Sequence, residues 1–199
     1  MKLTGFGLVL RRITIQDIEL VRGWRNQPSV RNQMLVQDEI SAEQQVLWFE
    51  KINNPFNYYF IIEVNELPIG VIHAKNIDEQ SMVGEGGIFI GDDKFIGTDI
   101  PARASMLFLY FCFKKIGVSI STAKVKEENY IAVEFNKSLG YKEAKRSQGV
   151  IYLQLQKEDF LNAPLVASVL RKIENSVHLT GTVSDKNLDS INQWLTLQG

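Results

Sequence analysis

The residues with chemistry to offer are few, and their spacing narrows what they can do. The chain holds one cysteine, Cys112, and two histidines, His73 and His178. No set of ligands at metal-binding spacing can be assembled from them. Cys112 lies inside the apolar run Met106–Phe113 and reads as a buried thiol in a reducing compartment. His73 is the side chain that titrates nearest neutrality. The stretch Met82 to Ile90 opens with Glu85 among three glycines, Gly84, Gly86 and Gly87. Glycines inside a strand mark a bulge or the close approach of something else. Each group also has a plainer reading: a solvated strand end for Glu85, a satisfied sheet histidine for His73.

The elements that would position these residues follow from periodicity and stop signals. Leu8–Leu10 reads as a first strand. Thr14-x-x-Asp17 forms a capping box ahead of Ile18, Val21 and Trp24 at helical spacing, and Pro28 ends that helix. A second box, Ser41-x-x-Gln44, opens a helix that stops at Asn53-Asn54-Pro55. Tyr58–Val64 and Ile69–Ala74 flank the turn Asn65-Glu66-Leu67-Pro68 and predict a hairpin. A loop from Gly91 leads to a helix starting near Pro101, apolar nearly all round and closed by Gly117. Ser121–Lys126 reads as a strand, Tyr130–Ser138 as a short helix, and Lys142–Arg146 with Val150–Gln156 as a last hairpin. The tail reads as helix over 166–174, extended over 177–183 and helix over 185–197. This mixture predicts an α/β or α+β domain around a mixed sheet.

The bulk numbers fit one domain with a proper core. The 199 residues are 45% hydrophobic and 23% charged, with a formal net charge of -1. No basic block is present, which argues against nucleic acid as a partner. The apolar run Met106–Phe113 is too short to span a bilayer. The first residues lack the apolar core of a signal peptide, and a cytoplasmic setting is expected.

Three stretches, taken with the element order, resemble the GNAT N-acetyltransferases. They are Glu85-Gly86-Gly87-Ile88-Phe89-Ile90-Gly91, Lys94-Phe95-Ile96-Gly97 running into a helix, and Asn129-Tyr130-Ile131-Ala132 continuing to Asn136-Lys137-Ser138-Leu139-Gly140-Tyr141. The last is similar to the family's signature of an asparagine, an alanine and a closing Leu-Gly-aromatic. The resemblance implies a GNAT fold over residues 1–160, with a central mixed, mostly antiparallel twisted sheet. The remaining 161–199 form a C-terminal α/β extension that packs on the domain or mediates a homodimer. It also implies acetyl-CoA as co-substrate and no metal. The pantetheine arm would lie along a splayed strand at Ile88, Phe89 and Ile90, pairing its amides as an added strand does. The pyrophosphate would sit at the loop of Lys94, Phe95, Ile96, Gly97 and Thr98, on a helix N-terminus. Asn129, Asn136 and Lys137 would complete the cofactor contacts. Glu85 or His73 would serve as base, and the backbone at Ile88–Ile90 would polarise the thioester carbonyl.

Two departures from the pattern matter. Asp99 stands where the family's loop places a small residue: as a cap it would occupy the N–H groups the phosphate needs, and pointing outward it would leave Thr98 or later amides to the ligand. Asn136 stands where many members carry an acidic tyrosine, which leaves Tyr130, Tyr110 or solvent to protonate the thiolate. The acceptor side resembles a subgroup of ribosomal-protein and nucleotide-sugar amine acetyltransferases. There Trp24 and Trp48 offer stacking faces, Arg25 and Arg31 a diphosphate site, and Asn26 a polar contact. Tryptophans at this spacing are more often core, and arginines more often solvated surface. The expected acceptor is a small primary amine, an amino sugar in free or nucleotide-linked form. The alternatives are a protein amine and a non-catalytic CoA-binding module.

Overall fold

The computed structural model describes residues 1–169 and 178–180. Its centre is a nine-stranded sheet in the order β7-β8-β6-β5-β4-β3-β2-β1-β9. The strands are β1 (Lys2–Gly5), β2 (Leu8–Arg12), β3 (Tyr58–Val64), β4 (Leu67–Lys75), β5 (Val83–Ile90), β6 (Ile120–Lys126), β7 (Lys142–Ser147), β8 (Val150–Gln156) and β9 (His178–Thr180). Every neighbouring pair is antiparallel except β5 and β6. The expected sheet is therefore present, and β1 is an addition the sequence reading missed. It pairs with β2 through a two-residue turn in which Phe6 and Gly7 both take positive φ, the twist that a tight hairpin needs.

The helices are α1 (Ile18–Asn26), α2 (Pro28–Arg31), α3 (Ala42–Ile52), α4 (Ile100–Phe111), α5 (Tyr130–Ser138) and α6 (Lys157–Asn162). Ser41 and Gln44 form the expected reciprocal cap of α3: the Gln44 N–H donates to the Ser41 hydroxyl at 3.2 Å and the Ser41 N–H to the Gln44 side chain at 2.8 Å. Ahead of α1 the expected Thr14–Asp17 box is present as well, and Asp17 collects further donors. It accepts from the Thr14 N–H and hydroxyl and from both terminal nitrogens of Arg11. Burial opposes its charge, but these bonds outweigh it and hold the carboxyl below its usual range.

The two faces of the sheet carry different helices. On one, α4 packs Leu107, Phe108 and Phe111 against Phe60 and Leu10 in the main core. Each such fully buried side chain stabilises by roughly 1.5–3 kcal/mol. On the other face, α1 and α3 cover a smaller cluster of Ile13, Val21, Trp24, Tyr59, Ile61 and Val71. The tail returns to the sheet as β9, which pairs with β1, and Ala163 and Val166 join the main core. The helix expected over 185–197 lies outside the described residues.

Strand β5 departs from the expected bulge. It stays in continuous register with β4 from Gly70↔Ile90 to Lys75↔Glu85. On its other side it pairs with β6 over Val83, Gly84 and Glu85 alone. The strands then part, so the splay comes from a short parallel contact and not from an extra residue. The glycines instead admit neighbours. A side chain at Gly86 would crowd Ser121 and Tyr141, and one at Gly87 would strike the His73 ring.

Candidate active site

The gap where β5 and β6 diverge opens into a cleft of about 1000 Å³ that passes between the two faces of the sheet. Its central wall is the strand Glu85–Ile90. One side is lined by Ile96, Gly97 and Thr98 with α4 and α5, the other by α1, α3 and the loop between α2 and α3. The backbone of β5 beyond Glu85 has a partner strand on one edge only. Its free edge faces the cleft, as an amide-bearing ligand would require.

At the α4 end, the loop answers the question raised by Asp99. The Asp99 carboxylate turns outward and pairs with Arg103 at 3.0 Å, largely exposed. Thr98 does the capping: its hydroxyl donates to the Phe95 carbonyl at 2.8 Å and accepts the Ile100 N–H at 3.3 Å. Gly97, at φ +77°, has open space where a side chain would stand. Ile96, Gly97 and Thr98 therefore line the cleft as expected, whereas Lys94 and Phe95 do not. Lys94 is exposed, and Phe95 packs against the main core.

At the start of α5, the Asn129 side-chain oxygen caps the helix by accepting the Ala132 N–H at 3.1 Å. Its amide NH2 has no partner among the described residues and belongs to the cleft wall. Asn136 lines the cleft too and donates to the Ala132 carbonyl at 2.7 Å. Two expectations fail here. Tyr130 is 73% exposed and lies outside the cleft, because it occupies the outer face at the first turn of α5. Lys137 pairs with Glu134 one turn away and likewise lies off the cleft. Tyr110 does not line it either. On this side of the cleft the lining tyrosine is Tyr141, whose hydroxyl shares a 2.7 Å hydrogen bond with Ser121 at the base of the fork. Burial pushes its phenol up, so it stays a hydroxyl. The signature aromatic marked that position, but nothing in the sequence marked its partner Ser121.

On the α1–α3 side, Glu85 is held between two lysines. Lys75 Nζ lies 2.8 Å from one oxygen and Lys124 Nζ 2.6 Å from the other. Burial works against the charge, but the two ammonium groups outweigh it and keep the carboxyl below its usual range. His73, paired across from Gly87, stacks on Tyr59 with ring centroids 4.7 Å apart and planes 12° apart. Part of the imidazole surface opens to the cleft, yet protein encloses it. Burial first, then the positive charge of Lys75, push its pKa down to about 3, so it is neutral. Arg25 lines the cleft with Nη1 buried and without a partner; burial lowers its pKa.

The remaining acceptor-side expectations divide. Trp48 lines the cleft and meets Tyr59 edge to face at 5.4 Å. Trp24 is buried core, its ring over the backbone of Gly91, and offers no stacking face. Asn26 is occupied on both ends of its amide by the backbone of Ile40, which pins the α2–α3 loop to α1. Arg31 does not line the cleft. Lys75, Tyr59 and Lys124 were missed; the period of two along β4 places Lys75 on the face of His73, which was the available signal.

Among the described residues no group of three or more His, Cys, Asp or Glu side chains could hold a metal ion, and no helix is long and apolar enough to cross a membrane. The model of the Acetyltransferase (GNAT) domain matches residues 7–142. A Methanocaldococcus jannaschii protein, MJ1062, is 25% identical over 144 residues, covering 71% of this chain and 29% of that protein. The chain thus spans less than a third of that relative. Among solved structures, the spermidine N-acetyltransferase of Vibrio cholerae, in complex with CoA and spermine, superposes with a TM-score of 0.72 at 18% identity. That match covers 79% of this chain and 100% of the other. FdhC, a nucleotide-linked sugar GNAT solved in apo form, gives 0.71 at 19% identity over 84% and 97% of the two chains.

Proposed function

Because the chain belongs to the GNAT acetyltransferase family, we propose that it transfers acetyl from acetyl-CoA directly to the primary amine of a small molecule, an amino sugar in free or nucleotide-linked form. The observation that carries this reading is the fork: β5 and β6 pair over three residues and then leave a continuous passage between the two faces of the sheet. A thioester entering from the α4–α5 side and an amine entering from the α1–α3 side meet at that gap. The geometry fits the co-substrate. The free edge of β5 suits the pantetheine amides, the Asn129 NH2 is an unused donor, and the α4 N-terminus around Gly97 and Thr98 suits an anion. Tyr141 and Ser121, at the base of the fork, supply hydroxyl donors to the leaving sulfur in place of Asn136. Trp48 and Tyr59 offer aromatic faces on the acceptor side, and Arg25 offers an unpaired donor to an acidic group of the acceptor.

Calorimetric titration of the purified chain with acetyl-CoA is the first test, followed by thiol release with amino sugars and their nucleotide-linked forms. Micromolar binding and acceptor-dependent release are expected. Absence of binding to both acetyl-CoA and CoA would end the enzyme reading. Asn129 gives a sharper local test. Asn129→Ala should lose about 1 kcal/mol of stability, as expected for a lost helix cap, and several-fold in acetyl-CoA affinity. Asn129→Asp keeps the cap oxygen, removes the amide donors and adds a negative charge, so it should show the affinity loss with little change in thermal melting. Unchanged affinity in both variants would place the pantetheine elsewhere.

A further inference from the structure

Resting on the acetyl-transfer reading above, we propose that the acceptor is a weakly basic amine that enters as the free base, because this end of the cleft holds three cations and a carboxylate already paired twice, with no group free to take a proton. Each oxygen of Glu85 has its own lysine, at 2.8 and 2.6 Å. Protonating it would break an ion pair and leave two ammonium groups side by side. His73 lies between the Tyr59 ring and the Gly87 backbone. Protonating it would add another cation beside Lys75 and Arg25, whose Nη1 is itself without a partner. The other titratable groups do not change this balance. Tyr59 is pushed up to about 12 by burial and the Glu85 charge, and Tyr141 and Cys112 are buried and protonated. Asp38 and Glu39 belong to the exposed loop at the mouth, where solvent screens them.

An ammonium arriving beside His73 meets three cations against one carboxylate whose two oxygens are both paired, the carboxylates of Asp38 and Glu39 standing out at the solvated mouth, whereas an uncharged amine meets no such penalty. The proton that the attacking amine sheds as the amide forms ends on the coenzyme A sulfur as the carbon–sulfur bond breaks, so free amine and thioester give amide and thiol with no proton left over. The consequence is selection by basicity. An alkylamine with a pKa of about 10.4 is neutral in roughly one molecule in 2500 at pH 7, and an amine near 7.8 in roughly one in seven. Amines on carbons flanked by hydroxyl- or carbonyl-bearing carbons belong to the second group. Polyamines belong to the first.

The test is a pH series of thiol release, from pH 6 to 10, with glucosamine, glycinamide and spermidine as acceptors. The rate constant kcat/KM on total amine should rise with a midpoint that follows each amine's own pKa. Spermidine should fall at least 50-fold below glucosamine at pH 7. Glu85→Gln and His73→Asn should change the height of the profile and leave each midpoint in place. A limb with one fixed midpoint for all amines, lost in either variant, would reveal a protein base and overturn the proposal, as would a preference for spermidine at pH 7. Acetyl-CoA binding without transfer to any amine, or no binding, would overturn the acetyl-transfer reading itself and this inference with it.

Discussion

Between pH 7 and pH 4.5 the protein is expected to lose about 2–3 kcal/mol of stability through His73 alone. In the folded chain burial and the nearby Lys75 push the imidazole down to about 3, from the 6.5 of an unhindered histidine. The unfolded state therefore takes up a proton below about pH 6.5, and the folded state does not until near pH 3. The stabilisation is complete above pH 6.5 and is lost as pH falls through that window. The depressed carboxyls act lower. Asp17 and Glu85 lose their contribution only as pH drops below their ordinary values of 3.8 and 4.5. At pH 4.5 the acid slope thus belongs mainly to His73. Urea unfolding at pH 7 and 4.5 should show the midpoint falling in the wild type and hardly moving in His73→Gln. Equal slopes in the two proteins would mean that the folded imidazole accepts its proton without penalty.

The fold was legible where local signals and periodicity agreed. The Ser41-x-x-Gln44 box, the hairpin over Asn65 and Glu66 and the closure at Gly117 are backbone devices written in a few adjacent residues. What was not legible depends on partners distant in the chain. Strand β1 is short, and its identity rests on pairing with β2 on one side and β9 on the other. The glycines of β5 announced a close approach, yet whether ligand, bulge or side chain approached could not be read from their spacing. The structure gives Tyr141, Ser121 and His73 as the occupants. The same holds for the site. Glu85 and His73 were identifiable as titratable groups, but the basicity of Glu85 is set by Lys75 and Lys124 acting against its burial, and that of His73 by burial and then Lys75; Lys124 is placed beside Glu85 only by the parallel contact of β5 with β6. Trp24 and Trp48 are alike in sequence terms and opposite in role: the Trp24 ring lies on the strand where Gly91 has no side chain to hold it off.

Gly87→Ala should reduce kcat/KM for the acceptor by about 100-fold while leaving acetyl-CoA affinity within about threefold. A methyl group at position 87 would stand 2.5 Å from His73 Cε1 and 2.9 Å from Nε2. The strand cannot yield easily, since Gly87 pairs directly with His73 inside the continuous β4–β5 register. Nor can the ring retreat: Tyr59 stacks on it, and Trp48 buttresses Tyr59. The imidazole must swing into the cleft. Overpacking of this kind costs about 1–3 kcal/mol of stability, and an ångström of misplacement beside a reacting group costs about 100-fold in rate. The new methyl points at His73, on the α1–α3 face, away from the Gly97, Thr98 and Asn129 side of the cleft. Binding of acetyl-CoA should therefore survive. Removing the obstacle supplies the control: in Gly87→Ala with His73→Ala the loss should be smaller than the sum of the two single losses, because the pair shares one clash. Calorimetry for acetyl-CoA and thiol release for the acceptor separate the two faces. If affinity and turnover fell together, the two faces would be mechanically one site; if neither changed, the acceptor would not pass over His73 at all.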